Sequence, residues 1–215
     1  MHGIFFYIGL GAGLAAACGL RPFLPVVLAG VLASSNALGV SFAASHFRFL
    51  QAGWWLIAVV LALVAAYALQ ILLGLAPSLD IAAQRALAAT EGRATDPLAA
   101  ALAGVAYGTG ALLFAGTLAA HGDAWWPGLL GGLAVVAVAQ RASGPVIARA
   151  RVRLTDRSAR EALTLYLDAA ALLFAALVAL LHPLGYVALA LLIWFAWRGR
   201  ARGGEKYAGL RILRR

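Results

Sequence analysis

Apolar and polar positions along this chain fall into long blocks and not into a short alternation. Apolar stretches run over about 4–35, 54–76, 98–120, 125–148, 162–181 and 183–197, with short polar or basic joints between them. A helix needs ~20 apolar residues to cross a ~30 Å hydrocarbon core. The pattern therefore predicts an all-α, polytopic membrane helical bundle of about six spans. The joint between the third and fourth blocks is only His121 to Ala124, and His182-Pro183-Leu184-Gly185 is an equally tight turn between the last two.

The first block is too long for one straight span and is interrupted by Gly19-Leu20-Arg21-Pro22. Arginine at the centre of a span costs about 2.5–3.5 kcal/mol on insertion scales, and proline removes a backbone donor. Irregular backbone of this kind persists in hydrocarbon where it is buried in protein or lines a watery cavity. Residues 4–35 either cross once or turn back as a re-entrant hairpin, and the pattern leaves both open.

Composition agrees with the membrane reading. Of the 215 residues, 64% are hydrophobic and 12% are charged, against about 45–50% and about 25% in soluble domains. The net charge of +9 is concentrated: five arginines lie between Arg149 and Arg160, and seven of the 17 Lys+Arg lie from Arg198 onward. Basic residues flanking apolar spans mark cytoplasmic joints. This predicts a membrane domain over 1–197 and a basic cytoplasmic tail over 198–215. Trp54-Trp55 and Trp125-Trp126 then fall together at the outer interface, where tryptophan is enriched. The tail suits anionic lipid headgroups or a partner's docking groove. It lacks the aromatic platform of a nucleic-acid binder, so no nucleic acid is expected. The start, Met1-His2-Gly3, lacks a basic signal-peptide region, and the first block is expected to be kept.

Two halves of three blocks suggest a 3+3 inverted repeat with two interrupted helices. The first interruption is Ala17-Cys18-Gly19-Leu20-Arg21-Pro22, and the second is Gln140-Arg141-Ala142-Ser143-Gly144-Pro145. Each carries Ala-x-Gly, an arginine and a following proline. In that arrangement Arg21 binds an anion beside a helix beginning at Pro22. Arg141 and Gln140 face it from the second half, and Ser143 caps a half-helix starting at Pro145. The bland alternatives are that Arg21 only holds the bundle, and that Arg141 snorkels to the cytoplasmic surface. Asp168 is the one acid well inside an apolar block. It is a structural partner for Arg21 or Arg141, or a proton carrier. Gln70 is equally deep, able to bond across helices or to touch a substrate.

Other chemistry finds little support. The lone Cys18 excludes an intrachain disulfide. His46, His121 and His182 lack metal-site spacing, and no nucleophile–base set or phosphate loop is visible. No cofactor, metal or enzymatic activity is expected. Gly9, Gly11, Gly13, Gly104, Gly108, Gly110 and Gly116 read as close helix packing.

The run from Gly9 to Pro25, with Gly-x-Gly-x-Gly followed by Cys18-Gly19-Leu20-Arg21-Pro22, resembles the opening of a bacterial membrane family catalogued as domain of unknown function 4126. Gln70, Pro77 and Asp80 resemble that family's next landmark, with Gln70 standing where relatives have an acid. Lys206 to Arg211 resembles the ending of some members. The resemblance implies a bacterial inner-membrane helical fold and assigns no function, since the activity of that family is itself unassigned. The expectation from the residues is a small carrier for an anionic molecule or lipid headgroup at Arg21, Pro22, Gly19, Arg141, Ser143, Gly144, Gln140, Asp168 and Gln70, working as a homodimer. The competing expectation is a non-transporting scaffold or assembly subunit.

Overall fold

The computed structural model describes residues 3–72, 97–154 and 156–208. These form seven helices: α1 (Ile4–Leu20), α2 (Leu24–Ser34), α3 (Gly53–Leu72), α4 (Pro97–Ala119), α5 (Trp125–Arg153), α6 (Arg157–Leu180) and α7 (Leu184–Ala208). Two 3-10 turns, Ala37–Gly39 and Arg48–Gln51, join α2 to α3. No strand occurs among the described residues. Ala100–Ala119, Trp125–Ala150 and Glu161–Leu180 are long and apolar enough to cross a membrane, and Ile4–Leu20, Leu24–Ser34, Gly53–Leu69 and Leu184–Arg198 are shorter apolar helices. Pro77 and Asp80 lie outside the described residues. The expected boundary at 197/198 falls inside α7, which continues to Ala208.

The first apolar block breaks where proline dictates. A residue before proline is pushed out of the helical region, and Arg21 is extended at φ −144°, ψ 117°. The chain turns through Pro22 and Phe23, and α2 begins at Leu24 with Pro25 in its first turn. The new helix thus starts two residues later than the expected start at Pro22, because Pro22 is consumed by the turn.

That break folds the first block into a helical hairpin. At the start of α1, Tyr7 stacks on His121 with ring centroids 3.3 Å apart, and Phe6 meets the edge of His182 at 6.4 Å. Both histidines are in the turns that close α4–α5 and α6–α7. After α2, a Cβ on Gly39 would sit 3.7 Å from His182 Nε2, and Phe47 lies 6.4 Å from Trp125. The beginning of α1 and the end of α2 therefore share one end of the bundle. α3 starts there too, with Trp55 edge-on to Phe49 at 5.3 Å.

α1 is the axis. Every residue from Gly9 to Gly19 is buried, and α4, α5, α6 and α7 all pack on it. Small residues let the backbones close. A Cβ on Gly132 would fall 2.6 Å from Ala111 Cα, and one on Gly128 would fall 2.7 Å from Ala115 Cα. This is a small-xxx-small seam between α4 and α5. Gly9 of α1 and Gly185 of α7 meet backbone to backbone, and Gly19 packs on Ala139 of α5. Gly104 and Gly108 correct the expectation drawn for them: both face open space, because they lie on the outer side of α4. α3 differs from the rest. It rests on α2 and the 3-10 turn Arg48–Gln51 and leaves Trp54, Ile57, Leu61 and Val64 exposed.

The second expected interruption is absent. α5 runs unbroken from Trp125 to Arg153 with Pro145 inside it. Ser143 does not cap a new helix; its hydroxyl donates to the Ala139 carbonyl at 2.7 Å. The carbonyl that Pro145 leaves without its helical donor is that of Arg141, one turn earlier, and the helix continues past it within the packed bundle. The two halves are not matched in their interruptions.

Two outcomes follow for this packing. Gly132→Ala should destabilise the protein by about 1–3 kcal/mol through overpacking, while Gly104→Ala should cost nothing, as read by thermal unfolding in detergent. In a Cys18→Ser background, cysteines at positions 3 and 43 should react with an impermeant thiol reagent from the same membrane side, and one at 156 from the other.

Candidate functional site

The tip of the hairpin carries a guanidinium that is 3% exposed. Two residues of α6 spaced one turn apart meet it, as residues four apart share a helix face. Arg21 Nε lies 2.7 Å from Asp168 Oδ1, and Nη2 donates to the Thr164 carbonyl at 3.2 Å. The Tyr67 hydroxyl, arriving from α3, donates to the other oxygen, Asp168 Oδ2. Asp168 as a residue is 8% exposed. Two charges are thus buried as a pair, which is the arrangement that makes each tolerable in a membrane interior.

Three elements place these groups at one depth. Arg21 follows the 17 residues of α1, so it lies ~25 Å from the shared turn end at 1.5 Å per residue. Counting along α3 to Tyr67 gives ~21 Å, and counting back along α6 to Asp168 gives ~18 Å. In a ~30 Å core this is roughly two-thirds of the way across. The first turn of α2 contributes the positive end of its dipole to the same spot.

Beside the cluster is a small hollow of about 10 Å³, lined by residues 21–24, Leu63, Tyr67 and Asp168. That is about the space one water molecule occupies. It lies between the hairpin tip and α3, the least enclosed helix.

Of the residues expected from sequence, the structure brings together Arg21, Pro22 and Asp168. Gly19 lies one turn back in α1 and serves the α1–α5 contact. The second half of the expected site does not assemble. Val136 and Ala139 face α1, and Arg141, two residues beyond Ala139, lies on the opposite side of α5, where it is exposed. A helix rotates ~200° over two residues at 3.6 per turn, so Arg141 cannot face Arg21 while Ala139 packs on Gly19. Gln140 and Gly144 are buried within the bundle, and Ser143 is bonded to its own helix. Gln70 lies in α3, three residues beyond Tyr67. The residue that sequence reasoning missed is Tyr67. Its signal was a phenol deep in an apolar block, in Tyr67-Ala68-Leu69-Gln70.

The histidines have local roles where they are described: His121 Nδ1 bonds the Thr117 carbonyl at 2.8 Å while its ring stacks on Tyr7. The chain matches no protein-family model, no curated protein and no solved structure.

Removing either member of the ion pair leaves a buried charge. Arg21→Met and Asp168→Leu should each destabilise by about 3–5 kcal/mol, and the double variant should recover most of that loss. Thermal unfolding of the four proteins measures the coupling, and simple additivity would show that the contact carries no energy. Tyr67→Phe should cost about 1–3 kcal/mol by removing one donor from a buried carboxylate.

Proposed function

We propose that this chain is a small membrane carrier that takes an anionic group at the tip of the α1–α2 hairpin. The single observation behind this reading is the buried Arg21–Asp168 pair at 2.7 Å, set at a helix break and closed by a tyrosine from the most loosely packed helix. Ionisable residues at this depth mark substrate or ion pathways by default. Asp168 occupies the place an anion would take. In this reading the protein supplies its own counter-charge to Arg21 through Asp168. Loading requires the carboxylate of Asp168 to yield Arg21, and α3 carrying Tyr67 to move outward. No covalent step is needed.

In this reading the chain crosses the membrane five times, through α3 to α7, around the re-entrant α1–α2 hairpin. Six full spans and a symmetric inverted repeat are not required. The basic stretch at the end of α7 lies in the cytoplasm under the positive-inside rule, and both chain ends then lie on opposite sides. Placement in a bacterial inner membrane, and kinship with the unassigned family whose opening Gly9 to Pro25 resembles, rest on those residues. A homodimer would supply cover for the exposed face of α3.

A second reading is favoured by one fact: the hollow holds about one water. The cluster would then be a fastener between the hairpin, α3 and α6, and the protein a scaffold or assembly subunit that moves nothing.

The two part company on anion dependence. Under the carrier reading, small anions raise the thermal stability of purified protein. Asp168→Asn, which keeps an acceptor for Tyr67 but removes the competing charge, strengthens that response, and Arg21→Gln abolishes it. A folded Asp168→Asn protein indifferent to chloride, phosphate, carboxylates and sulfonates would leave only the scaffold.

A further inference from the structure

The arginine that failed to join the central cluster suits a different ligand. Arg141 is exposed on α5, and so are Pro145 and Arg149, each one turn further along. Residues four apart on a helix are neighbours on its surface. The Arg149 side chain is folded back up the helix, with Nε donating to the Pro145 carbonyl at 2.9 Å. Its guanidinium is thereby held at the level of Pro145, and Arg141 sits one turn above. Pro145 offers neither a polar tip nor a long side chain between them, so the two cations flank a low, uncharged step.

The two helices that flank this step carry no acid beside it. From Trp125 to Arg153 α5 contains no acidic residue, and its neighbour α7 contains none from Leu184 to Arg198. The depth is also informative. Arg141 lies 16 residues past Trp125, or ~24 Å, and Arg149 lies 24 past it, or ~36 Å. With Trp125 at one interface, the far boundary of a ~30 Å core falls between them. The phosphates of the opposite leaflet lie at that level.

We propose that Arg141 and Arg149, on either side of Pro145, hold the phosphate of one anionic phospholipid in the leaflet at the C-terminal end of α5. Arg141 snorkels toward the headgroup from the acyl side, and Arg149 meets it from the aqueous side with its position set by the backbone bond. The site is independent of the hairpin cluster and of whether the protein transports anything. It is also independent of which membrane face is cytoplasmic.

The test uses full-length protein in phosphatidylcholine nanodiscs doped with phosphatidylglycerol, with bound lipid counted by native mass spectrometry and stability followed by thermal unfolding. Wild type should retain phosphatidylglycerol over phosphatidylcholine and be stabilised by it. Arg141→Gln and Arg149→Gln should each lower that retention about fivefold, and the double variant about thirtyfold, at roughly the electrostatic worth of one arginine near a lipid surface. Arg198→Gln, on α7 above the Trp194 ring at 5.0 Å, should leave retention unchanged. Equal loss in Arg198→Gln would reduce the effect to overall charge and overturn the site. So would equal stabilisation by inorganic phosphate, which would make the ligand a free anion, or a wild type with no preference between the two lipids.

Discussion

A guanidinium at the end of a wholly apolar central helix has to be met by an acid, and that need organises the middle of this molecule. Arg21 is brought to its depth by α1, which is buried along its length from Gly9 to Gly19. Asp168 meets it from α6, and Tyr67 reaches the same carboxylate from α3. α1, α6 and α3 are thereby tied at one level. Breaking the pair would strand a charge in a low-dielectric interior, where the penalty exceeds anything the surrounding packing could return.

The approach of the helices depends on how little they carry on their facing sides. Gly128 and Gly132 oppose Ala115 and Ala111, and Gly9 opposes Gly185. In lipid there is little hydrophobic drive between helices, so close van der Waals contact and interhelical bonds take its place. The hairpin exploits this. Its first limb is slim enough to be surrounded by four helices, and its second limb returns along α6 and α3 to the end where it began. α3 contributes Leu63 and Tyr67 to the lining of the hollow at the cluster.

Arginine plays two opposite parts here. Arg21 is extended backbone, buried and neutralised by a carboxylate. Arg141 and Arg149 are helical, exposed and remote from any acid on their own helix. The difference comes from helical phase and not from residue type. The face of α5 that holds Val136 and Ala139 against α1 fixes where Arg141 must point, and that direction is outward. The carrier reading concerns the first kind of arginine and the lipid reading the second, so neither stands or falls with the other.

Much was legible in the sequence because it depends on local chemistry. Block lengths set the helices, and their ends at 4, 53, 97, 125 and 184 fall close to the block edges. Arg21-Pro22 marked the break, since proline constrains the residue before it wherever it occurs. Asp168 stood out as the acid with a buried cation to serve. The same local reasoning misjudged Gln140 to Pro145: a proline in mid-helix removes one backbone bond and need not end a helix that is packed along its length, and α5, lying against α1, α4 and α7, continues through it. It also could not weigh Gly104 against Gly110, because which side of a helix is crowded depends on its neighbours. That residues 4–34 fold back on themselves as two helices, which arginine meets Asp168, and that Tyr67 joins them were decided only by tertiary structure. Each is a contact between segments far apart in sequence, and a helix's rotation about its own axis is set by what packs against it, not by its own residues alone.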